Sequence, residues 1–278
     1  MPHSTAAFTE ESVQDAALSR RLQKPAAIAE GIPKATYERV VKLIVEHADV
    51  TGRLRQVTQA LLDCVLLHLD PVLLGMAVTV AQLMPARDGK GEDGYIHSLR
   101  EIAMRGNAPW PYTTRAKAFL GSTTLAGMVV RLQRTQVWNN ELTDHQIVTI
   151  DEFERSSCVA PLTRGGGLTA GVLIISSSQP HFFDDPHMQV ITGQYADLLS
   201  IAIPDSAFYP LSLLRLHPMP DLQFQRKVIL ESFADRVLAC AREQELTAQD
   251  AEKIVERDME KEFEELARQQ MPDREHDS

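Results

Sequence analysis

The sequence predicts an α+β protein, in which an antiparallel sheet is flanked by helices and further helices stand near both ends of the chain. Two changes of pattern support this prediction. Apolar residues recur at steps of three and four before Pro71, and a Val-rich run at residues 74–84 then follows between two prolines. Beyond Pro204 the helical spacing returns. Helices that alternate with groups of strands in this way pack on the faces of an antiparallel sheet.

Two helices are predicted before the first strand. The first covers about residues 34–47, and its apolar stripe consists of Val40, Val41, Ile44 and Val45. The second starts at Asp49 or Thr51, since either side chain can cap a helix, and it stops at Asp70, directly before Pro71. Its apolar residues lie at helical spacing and define one buried face.

A hairpin and a short helix are predicted next. Residues 74–84 and 95–104 are the two strands of the hairpin, and the glycine-containing segment 87–91 is its turn. The short helix covers about residues 125–133. Its candidate caps are Ser122, Thr123 and Thr124.

The remaining elements follow from the same signals. Strands are predicted at residues 146–150, 158–162 and 168–176, and a helix opens at Asp185 and Pro186, where acidic groups and proline favour a helix start. Two further helices are predicted at residues 222–244 and 247–269. The apolar stripe of the last one is narrow, which is typical of a helix that packs against another helix.

Composition excludes several classes of function. The 278 residues carry 28 Lys and Arg against 38 Asp and Glu, a formal charge of 28 − 38 = −10, and no stretch gathers the basic residues into a stripe. Nucleic acid is therefore not an expected partner. No signal peptide or membrane span is recognised, so a cytoplasmic location is expected. The three cysteines, Cys64, Cys158 and Cys240, are expected to be reduced, buried thiols.

Three segments resemble the GAF family. Residues 157–162, 166–168 and 171–176 are similar to the family's strand-turn-strand hairpin, in which Pro-Leu ends one strand and Gly-Val-Leu starts the next. Residues 125–130 resemble its short Leu-Ala-Gly helix, and residues 195–202 resemble its closing helix. The resemblance implies a GAF-like antiparallel sheet flanked by helices.

The resemblance also predicts the domain boundaries. It covers about residues 51–203, and with its leading helix the GAF-like domain is expected at residues 35–203. Residues 1–34, rich in Ala, Ser, Glu and Gln, are expected to be a flexible N-terminal arm. Residues 204–278 are expected to be a C-terminal helical extension.

In the family, a pocket lies between one face of the sheet and a loop-helix layer, here about residues 107–127. GAF domains bind cyclic nucleotides, haem, bilins, amino or keto acids, or nothing, so the ligand and any cofactor stay unknown. An anionic or aromatic ligand is expected to stack on aromatic faces and to pair with Arg115. The alternative is that Trp110 and Phe119 only fill the core. The candidate ligand-binding residues are Trp110, Tyr112, Arg115, Phe119 and Thr123.

The sequence predicts no specific cofactor, metal or catalytic chemistry. Residues 138–153 do not reproduce the motif of cyclic-nucleotide binders, and Cys158 lies in a predicted strand without a following histidine, unlike the cysteine of bilin binders. Cys64 and Cys158 offer no pairing for a GAF-type methionine sulfoxide reductase. The nine histidines form neither H-E-x-x-H nor H-x-x-x-H, and an ordinary hydrogen-bonded role is expected for His97. No catalytic residue, no metal site and no enzymatic activity are therefore expected.

Two functions fit these expectations. The first is a non-catalytic sensory or regulatory protein, which binds a small molecule and signals through a separate protein partner. The alternative is a ligand-free GAF-fold module for dimerisation or protein interaction. A homodimer is expected in either case, because the helices around Val40 and Leu54 have apolar faces. An accessible cavity would favour the first function, and a filled one the second.

Overall fold

The computed structural model describes residues 31–47, 49–87, 93–139 and 150–270. The described residues from Ile32 onward form one compact unit. Three predicted features fall wholly or mainly outside the described residues. They are the flexible arm at residues 1–34, the turn at residues 87–91 and the strand at residues 146–150.

The helices and strands alternate in the predicted order, with short additions. In chain order they are α1 (Lys34–Glu46), α2 (Val50–Leu69), β1 (Met76–Leu83), β2 (Leu99–Gly106), β3 (Phe119–Leu120), α3 (Leu125–Leu132), β4 (Gln136–Asn139), β5 (Ser156–Arg164), β6 (Leu168–Ser177), α4 (Pro186–Ser200), β7 (Tyr209–Pro210), α5 (Leu222–Glu243) and α6 (Ala248–Gln270). Single 3₁₀ turns flank β7 at Asp205–Ala207 and Leu211–Leu213.

The strands form one antiparallel sheet in the order β3-β2-β1-β6-β5-β4, and β7 pairs with the start of β6. This architecture confirms the predicted α+β class. The central pair β1 and β6 needs a glycine at residue 171, where φ is +153°. A Cβ there would lie 2.0 Å from the carbonyl oxygen of Ala81, so the two strands approach too closely for any side chain.

Helices cover both faces of the sheet. Neighbouring residues of a strand point to opposite faces, so one strand contributes side chains to both helical layers. On β5, Cys158 contacts Thr192 of α4, and α2 contacts α4 on this same face. The next residue, Val159, belongs to the core beneath α3. The layer that contains α3 therefore lies opposite α2 and α4.

Helix starts agree well with the sequence. Asp49 caps α2 by accepting a hydrogen bond from the Gly52 amide at 2.5 Å, and Thr124 caps α3 through the Gly127 amide at 3.0 Å. Asp185 caps α4. The predicted apolar stripe of α1 packs only in part against the rest of the protein. Val40 is buried, whereas Val41 and Val45 are exposed, since only the Val40 side of this helix meets the rest of the protein.

Three strands were not predicted: β3, β4 and the two-residue β7. β3 and β4 have two and four residues, too few to show an alternating pattern. Each lies at one edge of the sheet, where β3 pairs with β2 and β4 pairs with β5.

The C-terminal helices pack against the sheet domain as well as against each other. Met259 and Phe263 of α6 are buried, and the Phe263 ring lies 5.9 Å from that of Phe119. The other buried members of this core are Met84, Ala116, Met219, Ile229 and Val255. The narrow stripe of α6 thus meets both α5 and the domain. None of the helices that the structure describes combines the length and apolar composition needed to cross a lipid bilayer.

Gln225 joins α5 to the edge strand β3. Its side chain is fully buried and accepts a hydrogen bond from the Phe119 amide at 2.8 Å. Its Nε2 donates to the carbonyl oxygens of Phe119 at 3.0 Å and of Pro220 at 2.8 Å. One amide side chain therefore satisfies backbone groups of two segments.

Replacing Gln225 by alanine is expected to destabilise the protein by about 2 kcal/mol, because the buried polar groups of Phe119 lose their partner. Urea unfolding of Gln225→Ala measures this effect. Gln223→Ala, on the exposed side of the same helix, is the matched control and should change stability by less than about 0.5 kcal/mol. Equal effects of the two substitutions would show that this contact does not hold α5 in place.

Candidate functional site

A small cavity lies between the sheet and the layer formed by α3, α5 and the loops around Trp110 and Asp151. The space that the centres of water molecules can occupy is about 60 Å³, room for a few waters or a small organic group. Its wall contains Ala77, Thr79, Glu101, Met104, Trp110, Leu120, Thr124, Leu125, Ala126, Trp138, Ile150, Asp151, Glu154, Ser157, Val159, Ile174, Ser176, Leu222 and Arg226. The cavity is therefore apolar over much of its surface, with a cluster of charged groups.

Acidic groups dominate the charges in the wall. Glu101 comes from β2, Asp151 and Glu154 from the loop before β5, and Arg226 from α5. With all four groups ionised, the described part of the wall carries 1 − 3 = −2. A low-polarity cavity with this balance favours a positively charged guest.

Arg226 bridges two of the acidic side chains. Its Nη1 donates to Asp151 Oδ2, and its Nη2 donates to Glu101 Oε1 at 3.3 Å. The other Glu101 oxygen accepts a hydrogen bond from the Ala118 amide at 2.9 Å. Burial raises the pKa of Glu101, although Arg226 and the Ala118 amide oppose this rise. The ion pairs connect α5 to β2 and to the loop before β5.

Glu154 has no cationic partner among the residues that the structure describes. Its Oε2 accepts a hydrogen bond from the Asp151 amide at 3.2 Å, and its carboxyl also bonds to Ser157 and Ser176. Burial raises the pKa of Glu154 to about 7, and these hydrogen bonds offset only part of that effect. The carboxyl therefore changes charge near neutral pH.

Aromatic side chains stand beside the acids. Trp110 is 5 % exposed, and its Nε1 donates to Asp151 Oδ1 at 3.0 Å. Phe153 packs edge-on against Trp110, with ring centroids 5.9 Å apart. Trp138, which is buried, supplies a second indole to the wall. Indole faces next to carboxylates form a suitable environment for an ammonium or guanidinium group.

The structure places the five predicted ligand-binding residues in different environments. Trp110 lines the cavity. Phe119 is buried in the core beside α6, Tyr112 is 61 % exposed with its hydroxyl 3.3 Å from Asp63, and Arg115 is exposed. Thr123 is half-buried, and its neighbour Thr124 faces the cavity instead. A binding role for the five stays a prediction, and only one of them belongs to this cavity wall.

None of the four charged residues of the wall was predicted from the sequence. Glu101 did leave a signal, since Arg100 and Glu101 are adjacent charges inside a predicted strand, and charges inside a strand that packs on both faces need partners. Both are buried, and Arg100 pairs with Glu256 of α6 at 3.1 Å. Arg226 left no such signal, because it lies in a helix of mixed polarity.

The thiol of Cys158 lies on the opposite face of the sheet from the cavity. It is fully buried beside Thr192, and burial raises its pKa to about 12. A thiol with this pKa stays protonated at neutral pH and is a poor nucleophile. Cys158, together with the half-buried Cys64 and Cys240, forms no disulfide.

No protein-family model matches the sequence, and no curated protein matches it. Among solved structures, the chain is similar to a candidate GAF sensor protein from Burkholderia vietnamiensis, with 15% identity, a TM-score of 0.46, and coverage of 66% of this chain and 99% of that one. The GAF domain of a phosphoenolpyruvate-protein phosphotransferase from Coxiella burnetii is also similar, with 12% identity, a TM-score of 0.41 and coverage of 60% and 90%. Both solved structures are described as GAF proteins, the family that the sequence resembles.

Several of the similar solved structures are enzymes. The free methionine-R-sulfoxide reductase of Neisseria meningitidis, solved with its substrate, matches with 15% identity, a TM-score of 0.41, and coverage of 74% of this chain and 96% of that one. Reductases of the same name from Staphylococcus aureus and Thermoplasma acidophilum match as well. The expectation that this chain is not an enzyme is therefore corrected, because enzymes are among the solved structures that match it, and a fold does not determine chemistry.

Proposed function

We propose that this protein binds a small organic cation, a primary amine or a guanidine, in the cavity beneath α3. One observation carries the proposal. Three carboxyl groups face a cavity that contains a single guanidinium, and Glu154 has no cationic partner in the described wall. The earlier expectation of an anionic ligand depended on Arg115, which is exposed and does not line this cavity.

The wall supports specific contacts for such a ligand. An ammonium group has three donors, and the carboxyl groups of Glu154 and Asp151, which come from one loop of the wall, offer acceptors for them. The indole side chains of Trp110 and Trp138 also line the cavity and suit the carbon chain or a flat guanidinium. Thr124 adds a hydroxyl at the start of α3.

Arg226 provides a route from the ligand to the C-terminal helices. A cation in the cavity competes with Arg226 for Asp151 and Glu101, which are the two anchors of α5 in the wall. The position of α5 would then depend on whether the site is filled, as a sensory protein requires. In this proposal the signal passes from α5 and α6 to a separate protein, and the chain acts as a homodimer in the cytoplasm.

A second observation bears on the alternative function of an interaction module. Tyr37, Val41 and Val45 form a stripe on α1 at steps of four residues, and all three are exposed. An exposed apolar stripe of this kind is typical of a surface that meets another chain. It is compatible with the expected homodimer and with ligand binding, because it lies on α1 and not in the cavity wall.

Three molecules of similar size test the proposal by charge alone: propylamine, propanol and propionate. At about pH 8, propylamine is expected to raise the thermal midpoint and to bind in calorimetry, because its ammonium meets an ionised Glu154. Affinity should fall about tenfold at pH 6, where a carboxyl of pKa about 7 is mostly protonated. A wider set of small amines and guanidines then defines the ligand class.

Two variants complete this test. Glu154→Gln should weaken propylamine binding by about tenfold or more at pH 8 and remove its pH dependence. Arg115→Ala should leave it unchanged. Binding of propionate in preference to propylamine, lost on Arg115→Ala, would refute the proposal and restore the anionic ligand.

A further inference from the structure

A second cluster of polar side chains lies outside the cavity, where α6 meets the segment before β2. His97 Nδ1 lies 3.1 Å from His217 Nδ1, and His217 Nδ1 lies 2.5 Å from Glu264 Oε1. The second Glu264 oxygen is 3.6 Å from His97 Nδ1. Potential ligand atoms of the three residues all lie within 4.8 Å of one another.

The backbone holds these residues together. The connector before α5 runs parallel to the segment before β2, with an isolated bridge between Ile96 and Leu214. The His217 amide donates to the His97 carbonyl at 2.9 Å, so the two histidines are fixed side by side. Their separation of 120 residues explains why no histidine motif is visible in the sequence.

Hydrogen bonds alone do not give every lone pair of this cluster a donor. His97 Nε2 lies 3.0 Å from Asp93 Oδ1, and when it donates its proton there, neutral His97 presents a lone pair at Nδ1. His217 Nδ1 can carry one proton, which two acceptors, His97 Nδ1 and Glu264 Oε1, then share. Two nitrogens and a carboxylate oxygen thus converge on one point with a single hydrogen between them. A divalent cation uses all three lone pairs.

The distances fit a tetrahedral ion after small adjustments. Metal bonds of about 2.0 to 2.1 Å place neighbouring ligand atoms about 3.4 Å apart, close to the 3.1 Å between the two histidine nitrogens. The 2.5 Å contact between His217 and Glu264 Oε1 has to open. The carboxylate of Asp93 on the far nitrogen of His97 is the usual outer partner of a metal-bound imidazole.

The charged groups around the cluster leave room for an ion. Arg87 donates to Glu264 Oε2 at 2.6 Å and lies 3.6 Å from the buried carboxylate of Glu260. Glu260 is also paired with Arg257. Arg268 donates to Glu264 Oε1 at 2.7 Å, but its side chain is 66 % exposed and can turn into solvent. Oε1 is then available to the ion, while Arg87 keeps the carboxylate in position.

We propose that His97, His217 and Glu264 bind a divalent transition-metal ion, with zinc the best match to two imidazoles and one carboxylate. His217 is 34 % exposed, which opens the site to solvent and to a water molecule as fourth ligand. The three ligands belong to the segment before β2, the connector and α6. The ion therefore clamps the C-terminal helical hairpin onto the sheet domain.

Zinc binding to the full chain tests the proposal directly. After treatment with EDTA and dialysis, the protein is titrated with Zn²⁺ against a chromophoric chelator, and bound metal is counted by mass spectrometry. One zinc per chain is expected. His217→Ala and His97→Ala should each weaken zinc binding at least tenfold. His181→Ala removes a half-exposed histidine that faces Asp184 on another surface and should have no effect.

A second measurement separates a metal site from a fold defect. His217→Ala changes a partly exposed side chain, and its circular dichroism without zinc should match that of the parent protein. Zinc should slow hydrogen exchange of the α6 amides in the parent protein and leave it unchanged in His217→Ala. Less than about 0.2 zinc per chain, or zinc binding that survives loss of both His97 and His217, would overturn the proposal.

Discussion

Arg226→Ala is expected to destabilise the protein by about 3 kcal/mol at pH 8. The substitution leaves Glu101 and Asp151 in the cavity wall without the cation that bridges them. An uncompensated charge in a cavity wall destabilises the fold by more than the ion pair stabilised it. Urea unfolding at constant pH measures the loss. It should shrink as the pH falls, because protonated carboxyls need no partner and burial already raises the pKa of Glu101.

Controls distinguish the ion pairs from the helix itself. Lys227→Ala changes the exposed neighbour of Arg226 and should alter stability by less than about 0.5 kcal/mol. Combining Arg226→Met with Glu101→Gln and Asp151→Asn removes the charges together and should recover much of the loss. If Arg226→Ala is as stable as Lys227→Ala, then Arg226 does not anchor α5, and the proposed route from cavity to C-terminal helices fails with it.

This route gives α5 a double role. Gln225 attaches the helix to β3 through backbone hydrogen bonds, which a ligand in the cavity does not touch. Arg226, the next residue, attaches it through charges that line the cavity. Loss of the second contact alone would loosen the start of α5 while Gln225 keeps it on the domain. A small displacement, not release of the helix, is then the expected response to a ligand.

Local sequence patterns account for much of the fold. Strand β6 and the helix that follows it were predicted within a few residues. The apolar run after a glycine-rich turn is a strong local signal for the strand, and the proline at the helix start is a strong local signal for the helix. Asp49 and Thr124, which cap α2 and α3, were among the candidate caps, because a cap acts within three residues. Strands as short as β3 provide no such pattern, and their pairing depends on distant parts of the sheet.

The cavity is formed by contacts between distant segments, which local sequence patterns do not show. Glu101 and Arg226 are 125 residues apart, and their ion pair forms only because α5 folds back over the sheet domain. Of the candidate ligand-binding residues in the loop before β3, Trp110 lines the cavity. The charge of the cavity was not predictable from that loop, since its acids come from β2 and from the segment after Ile150. Arg115 faces solvent instead.

The second large effect is expected in the pH dependence of stability. Glu154 has an ordinary pKa of 4.5 when unfolded and about 7 in the folded protein, because burial disfavours its charged form. Its protonated form therefore stabilises the fold fully below about pH 4.5. That contribution is lost as the pH rises through 7, by roughly 3 kcal/mol in total. Glu154→Gln keeps the shape of the side chain but has no proton to lose.

Parallel urea unfolding of the parent protein and Glu154→Gln, between about pH 4.5 and 8, isolates this contribution because the other titrating groups occur in both proteins. The parent should lose roughly 3 kcal/mol relative to the variant over this range, whereas parallel curves would show that Glu154 titrates normally. The same charge links stability to the proposed ligand. If an ammonium group binds next to ionised Glu154, saturating propylamine should recover part of the lost stability at pH 8 in the parent protein and none in Glu154→Gln.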